Sequence, residues 1–163
     1  PISTSSRTSI KMNSCKSACC LRKISYCNSC SYTYGEVDNE NTPPTGMVHN
    51  IPESEKIYSL FERKLSTVPF IKGRELYRMY VNCFASSENP YFHTDGEDGY
   101  TFLYYPQKDW KLDDGGETQF IIDNNLYGIL PEPNRMIMFH ANIPHRATTF
   151  RDRYRFTIAI KYK

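Results

Sequence analysis

The hydrophobic pattern of the chain changes twice along its length. Residues 1–14 are rich in serine and threonine and have no apolar period, which predicts disorder. Residues 31–46 carry acids, Asn and Pro-Pro and predict a long loop. In "IPESEKIYSLFERKL", apolar side chains then recur at helical spacing: Ile57, Leu60, Phe61 and Leu65. This spacing predicts a helix over residues 53–65 whose apolar face packs on a core.

Beyond Pro69 the pattern becomes strand-like. Short runs of β-branched and aromatic residues alternate with turn clusters such as "DGEDG" and "PEPN". The predicted strands are residues 74–84, 100–105, 118–123, 135–140 and 155–162. Several short strands after one helix predict a mainly β fold of the α+β kind, a β-sandwich or jelly roll that the N-terminal helix supports.

Length and charge narrow the classes of function. A chain of 163 residues suits one domain with its own core, and a formal net charge of +2 creates no strong field for nucleic acid or membrane. No apolar run approaches the ~18–20 residues that cross a bilayer, and the first residues show no secretory signal. We therefore expect a polar, Cys-rich leader and loop over residues 1–45, a folded domain over 46–163, and a cytoplasmic location in a bacterium or a virus-infected cell.

Five of the six cysteines crowd into one short stretch: Cys15, Cys19, Cys20, Cys27 and Cys30. The last two form a C-x-x-C pair, which is half of a closed zinc site. The alternatives are reduced thiols, a structural zinc site or disulfides. Reduced thiols in a polar leader are the simplest interpretation.

The segment "YFHTD" places His93 and Asp95 two residues apart. In an extended strand such side chains share a face, roughly 6.5–7 Å apart along the chain, and can lean onto one point. With one later histidine, either His140 or His145 of "FHANIPHR", they would form the 2-His-1-carboxylate triad of non-haem Fe(II) oxygenases. The tripeptide by itself is also compatible with a surface hydrogen-bonded pair.

A candidate anion-binding residue follows. Arg155 stands ten residues after His145, at the start of the last predicted strand. A guanidinium there can hold a carboxylate by a bidentate, charge-assisted pair. Arg153 shares its strand face and is the fallback, and "RDRYR" is also compatible with a solvated basic turn.

Together these residues resemble the 2-oxoglutarate- and Fe(II)-dependent oxygenases, most closely the prolyl 4-hydroxylase type. "LYYPQKDW" is similar to the "YYLNKDW" run of the hypoxia-factor prolyl hydroxylases, and "GGETQF" resembles the Gly-Gly-Glu strand start of prolyl 4-hydroxylases. "NRMIMF", the following "PH" and "RFTIAIKY" are similar to the closing strands. The resemblance covers residues 74–163 and implies a double-stranded β-helix, the jelly roll of this family.

The resemblance implies a metal site. His93, Asp95 and His145 would bind Fe(II). His145 is preferred to His140 because the family's distal histidine also follows a proline and precedes the arginine by about this distance.

The resemblance also implies a co-substrate site. Arg155 would pair with the distal carboxylate of 2-oxoglutarate, Tyr104 would hydrogen-bond the same carboxylate, and Thr157 would line the pocket. Many relatives have a tyrosine ten residues before the first metal histidine. This chain has Cys83 there, which leaves Tyr80 as the substitute.

The implied activity is the hydroxylation of a peptidyl proline, of the procollagen-proline dioxygenase type, coupled to decarboxylation of 2-oxoglutarate to succinate and CO2. Fe(II), 2-oxoglutarate and O2 are the implied cofactors, with ascorbate as an optional factor. The expected partner is a proline-containing peptide, with no nucleic acid and no membrane. Tyr91, Tyr100 and Trp110 either line a peptide groove or pack loops. The alternatives are another amino acid or a nucleobase as substrate, or a non-catalytic jelly-roll binding module.

Overall fold

The computed structural model describes residues 45–163 and the backbone of two short strands, Ser3–Thr4 (β1) and Thr33–Tyr34 (β2). The leader predicted to be disordered lies outside the described residues except for Ser3–Thr4, which pair with Ile137 and Met138, and the five clustered cysteines lie outside them altogether. The predicted loop over 31–46 contains β2, which pairs with the strand that follows.

Ten strands of the described chain form two antiparallel sheets. After β1 and β2 they are Met47–Asn50 (β3), Leu76–Phe84 (β4), Tyr100–Tyr104 (β5), Thr118–Ile122 (β6), Asn125–Ile129 (β7), Met136–His140 (β8), His145–Ala147 (β9) and Arg155–Tyr162 (β10). A seven-stranded sheet has the order β1-β8-β5-β10-β4-β3-β2, and a three-stranded sheet has the order β7-β6-β9. The five predicted strands correspond to β4, β5, β6, β8 and β10.

One α-helix, Lys56–Leu65 (α1), covers the outer face of the larger sheet. Its buried residues Phe61 and Leu65 join a core cluster with residues of the central strands, including Val81 and Ile158. The helix begins three residues later than predicted because a turn precedes it, in which the amide of Glu55 donates to the carbonyl of Pro52 over 3.0 Å. Two short 3₁₀ helices cover Pro69–Ile71 and Leu112–Asp114.

The central strand β10 divides its side chains between the two faces of the sheet. Ile158 and Ile160 point to the helix side and join its core cluster. Arg155, Thr157 and Lys161 point to the other side, where they line a cavity between the two sheets. This alternation places polar residues on the inner face of an otherwise apolar strand.

The hairpin that joins β6 and β7 was not predicted. Its two turn residues, Asp123 and Asn124, have φ values of 49° and 60°, which suit a tight two-residue turn. β7 is almost fully exposed and has no alternation of apolar and polar residues, so it gives no strand signal. Among the described residues no helix is long and apolar enough to span a membrane.

Candidate metal and co-substrate site

Three potential metal ligands converge at one end of the cavity. One ligand atom from each of His93, Asp95 and His145 lies within 4.8 Å of the others. The backbones of His93 and His145 form an isolated antiparallel bridge, with N–O distances of 3.1 and 2.9 Å. The amide of Asp95 donates to the carbonyl of Ala141 over 2.8 Å. Backbone pairing therefore brings the H-x-D segment beside the distal histidine.

The imidazole orientations suit metal binding. Nδ1 of His145 lies 2.9 Å from the carbonyl oxygen of Ile143, and Nδ1 of His93 lies 3.1 Å from that of Tyr91. A carbonyl only accepts, so each Nδ1 carries the proton and each Nε2 has the lone pair. Burial lowers the pKa of His145 to about 4, so this ring is neutral at neutral pH, the form that binds a metal.

The Asp95 carboxylate is buried, and each of its oxygens accepts one hydrogen bond. Nζ of Lys161 lies 2.8 Å from Oδ1, and the hydroxyl of Thr101 donates to Oδ2. Oδ2 also lies 3.7 Å from Nε2 of His145. Burial raises the pKa of Asp95, but the neighbouring His145 and Lys161 and the hydrogen bond from Thr101 hold it below its ordinary value. The carboxylate is therefore charged at neutral pH.

This donor set fits Fe(II). Two imidazoles and one carboxylate that converge from one side leave the remaining coordination positions to other ligands. Such open positions distinguish a catalytic site from a closed structural one.

A buried cation lies in the same cavity, which has a volume of about 200 Å³. The side chain of Arg155 is 1% exposed, donates from Nε to the carbonyl of Gly116 over 2.9 Å, and donates from an Nη to Oγ1 of Thr118 over 2.8 Å. Burial lowers the pKa of Arg155, but a guanidinium stays charged at neutral pH. Within residues 45–163 no carboxylate forms a salt bridge with it. A buried cation without a counter-ion favours an anionic ligand.

Other polar groups line the cavity between these two points. Thr157 lines this cavity, and its Oγ1 accepts a 3.5 Å hydrogen bond from the side-chain amide of Asn82. Tyr80, the predicted substitute for the missing tyrosine, also lines the cavity. Cys83 lies on the strand face opposite to Asn82, where burial raises its pKa to about 11.

The structure corrects the prediction for Tyr104. Its ring lies on the helix side of the sheet, packs edge-on against Phe61 with a centroid distance of 5.4 Å, and is only 1% exposed. Its hydroxyl donates to Asn134 over 3.0 Å. Adjacent residues of a strand point to opposite faces, so the next residue, Tyr105, is the one whose side chain lies on the cavity side.

The sequence left two choices open, His140 or His145 for the metal and Arg153 or Arg155 for the anion, and the structure places the members of each pair differently. His140 lies outside the cavity, with Nε2 at 3.6 Å from Asp98. Arg153 is on the surface, where it forms a 3.3 Å ion pair with Asp114 and stacks over Trp110. Of these four residues, His145 and Arg155 line the cavity and His140 and Arg153 do not.

Sequence reasoning missed two residues of the site. Lys161 has the same strand parity as Arg155 and Thr157, so the period of two along the last strand was the available signal. Tyr105 lies next to the residue that was chosen, and its hydroxyl is 2.8 Å from that of Thr118, which also binds Arg155. The side-chain contact between Tyr105, just after β5, and Thr118 of β6 in the other sheet was not visible in the sequence.

Comparison with solved structures supports the fold. A Pseudomonas putida prolyl-4-hydroxylase superposes with a TM-score of 0.70 at 16% identity, covering 90% of this chain and 83% of that one. A Trichoplax adhaerens prolyl hydroxylase, in complex with a hypoxia-inducible-factor peptide fragment, gives a TM-score of 0.69 at 18% identity, with coverages of 87% and 75%. The viral collagen prolyl hydroxylase of Paramecium bursaria Chlorella virus-1 gives 0.58 at 17% identity, with 72% and 79%. These matches confirm the predicted double-stranded β-helix.

Comparison of the sequence with known families agrees. No curated protein matches the sequence. One family model, described as the 2OG-Fe(II) oxygenase superfamily, matches residues 79–162, just over half of the chain, and this match includes the whole H-x-D segment and the distal histidine. The resemblance noted in the sequence is thereby confirmed, and the chain belongs to the 2OG-Fe(II) oxygenase superfamily.

Proposed function

We propose that this oxygenase hydroxylates a proline residue in a peptide or protein, in a reaction that converts 2-oxoglutarate to succinate and CO2. One observation carries the proposal: a cluster of two imidazoles and a carboxylate shares a cavity with a buried arginine that forms no salt bridge within residues 45–163. This pairing suits a metal ion and a dicarboxylate bound side by side.

The side chains have separate tasks. His93, Asp95 and His145 hold Fe(II), which supplies the activation of O2 when it is bound. Arg155 holds the distal carboxylate of 2-oxoglutarate, and its contacts with Gly116 and Thr118 prevent the guanidinium from turning away. Thr157 and the apolar Phe139 line the cavity between them and limit the access of water.

In this proposal Tyr105, and not Tyr104, supports the binding of the distal carboxylate of 2-oxoglutarate. The guanidinium of Arg155 lies 5.6 Å from the Tyr105 ring centroid, and the Tyr105 hydroxyl bonds Thr118. We expect Tyr105→Phe to weaken 2-oxoglutarate binding by about 5- to 10-fold, because one hydrogen bond contributes ~1 kcal/mol. Equilibrium titration of 2-oxoglutarate under anaerobic conditions measures this change.

Tyr104→Phe is the matched control. It removes a hydroxyl only one residue away, and we expect it to leave 2-oxoglutarate affinity unchanged while it lowers the free energy of unfolding by about 1 kcal/mol through the lost Asn134 hydrogen bond. The reverse outcome, with Tyr104→Phe weakening 2-oxoglutarate and Tyr105→Phe neutral, would contradict the assignment of the cavity face.

The choice of a prolyl substrate rests on the structural neighbours. Several of them are prolyl hydroxylases, and the structure of the Trichoplax enzyme contains a peptide fragment. Of the three aromatics considered for a peptide groove, Tyr91 is exposed and adjoins the H-x-D segment. Trp110 instead packs on Phe150 and donates to the carbonyl of Gly115 over 3.0 Å, and Tyr100 packs on His140.

The direct test is a turnover assay with proline-rich peptides, Fe(II), 2-oxoglutarate and O2, with ascorbate varied separately. We expect a peptide mass gain of one oxygen atom and an equal amount of succinate, both lost when alanine replaces the proline of the peptide. Turnover of 2-oxoglutarate with oxidation of a free amino acid or nucleobase alone would contradict the prolyl substrate. Absence of both metal and 2-oxoglutarate binding would favour a non-catalytic binding module.

Three predictions made from the sequence are part of this proposal: the type of partner, the extent of the folded domain and the location. The small net charge of +2 supports a peptide rather than a nucleic-acid partner. The folded domain of residues 46–163 contains all residues assigned here to the metal and co-substrate. A cytoplasmic location remains a prediction from the sequence.

A further inference from the structure

We propose that Lys161 is a positioning residue that orients the Asp95 carboxylate, so that only one of its oxygens is presented to the metal. The inference rests on the proposed metal site and adds a residue to it. Lys161 is near the end of β10, far along the chain from the H-x-D segment, and the activity described above leaves it without a task.

The two carboxylate oxygens of Asp95 have different partners. Oδ1 accepts the 2.8 Å hydrogen bond from Nζ of Lys161, whereas Oδ2 accepts from Thr101 and faces Nε2 of His145 at 3.7 Å. Within residues 45–163, Lys161 is the donor to Oδ1. Oδ2 is therefore the oxygen that would face a metal ion held by His145, whereas Oδ1 is turned towards Lys161.

Both members of the ion pair between Lys161 and Asp95 are buried. The side chains of Lys161 and Asp95 are 10% and 6% exposed. Lysines are almost never buried unless they are paired, so an ammonium here needs the carboxylate. Nζ also lies 5.2 Å from the ring centroid of Tyr80, and this contact helps to hold the lysine in place.

Without the hydrogen bond from Lys161, the Asp95 carboxylate would be able to rotate. If Oδ1 lost its donor while remaining buried, rotation of the carboxylate would bring both oxygens to the metal and occupy a coordination position that the co-substrate needs. Groups that hydrogen-bond metal ligands commonly act in this way, by fixing the orientation of the ligand. The ammonium of Lys161 also repels a divalent cation. Its contribution to the site is therefore to orient the Asp95 carboxylate and not to attract the metal.

The test is the visible absorption spectrum of the Co(II)-loaded protein, which reports coordination number and geometry without turnover. We would compare the wild type with Lys161→Met, which removes the donor, and with Lys161→Gln, whose amide is one bond shorter and does not reach Oδ1. Lys163→Gln is the matched control, because Lys163 is two residues further along, 59% exposed, and pairs with Glu75. Near-UV circular dichroism verifies folding of each variant.

We expect an altered Co(II) spectrum in each Lys161 variant that folds, and an unchanged spectrum in Lys163→Gln. The spectrum is the decisive measurement. A spectrum that superimposes on the wild type in a folded Lys161 variant would overturn the role of Lys161 while leaving the metal site intact. Failure of the wild type to bind Co(II) would instead overturn the proposed function and this inference together.

Discussion

The His145→Leu variant is expected to lose Fe(II) binding and turnover by more than about 100-fold. Replacing the hydrogen-bonding partners of metal ligands already costs ~10–100-fold, and this change removes a ligand itself. Leucine keeps the apolar contacts of the ring, which packs at centroid distances of 4.6 Å from Phe139 and 5.9 Å from Phe120. The measurement is anaerobic titration with Fe(II) and 2-oxoglutarate, following the visible metal-to-ligand charge-transfer band.

His140→Leu is the matched control for this experiment. His140 stands in the same "FHANIPHR" segment, but its ring faces Asp98 and Asn142 outside the cavity. We expect the charge-transfer band and turnover of this variant to match the wild type. A band that survives in His145→Leu and disappears in His140→Leu would show that the wrong histidine has been assigned to the metal.

The second large effect is expected at Arg155. In Arg155→Lys a compact ammonium replaces a planar fork, so the contacts with Gly116 and Thr118 and the bidentate pair with a carboxylate cannot all form. Disrupting a buried, hydrogen-bonded charge pair costs about 2–5 kcal/mol, which corresponds to a roughly 30- to 5,000-fold rise in the dissociation constant of 2-oxoglutarate. Calorimetric titration of the Co(II)-loaded protein measures it.

Two comparisons make the Arg155 experiment specific. Arg153→Lys changes the same residue type two positions away, on the surface beside Asp114, and we expect no change in 2-oxoglutarate affinity. Co(II) affinity in the absence of 2-oxoglutarate is expected to stay unchanged in both variants, because neither arginine is a metal ligand. An Arg155→Lys variant with wild-type 2-oxoglutarate affinity would show that the distal carboxylate binds elsewhere.

The prediction from sequence was accurate where local patterns carry the information. Periods of 3.6 and 2 predicted α1 and the five main strands, because one face of each element is buried and the other is not. The resemblance to the family implied Tyr104, although two tyrosines stand side by side and a shift of one residue moves the side chain to the other face of the sheet. β7 was missed because it is exposed and carries no pattern.

The sequence by itself determined the chemistry that this chain contains: an H-x-D segment, a distal histidine after a proline, and an arginine ten residues later. It could not decide which histidine joins the triad, which arginine is buried, or that Lys161 contacts Asp95. The residues that meet in the cavity are far apart along the chain, and Lys161 and Asp95 are separated by 66 residues. They meet only because β10 lies between β4 and β5 and because the bridge from His93 to His145 joins the H-x-D segment to β9. Non-local strand pairing and burial decide such contacts, and neither leaves a local signal in the sequence.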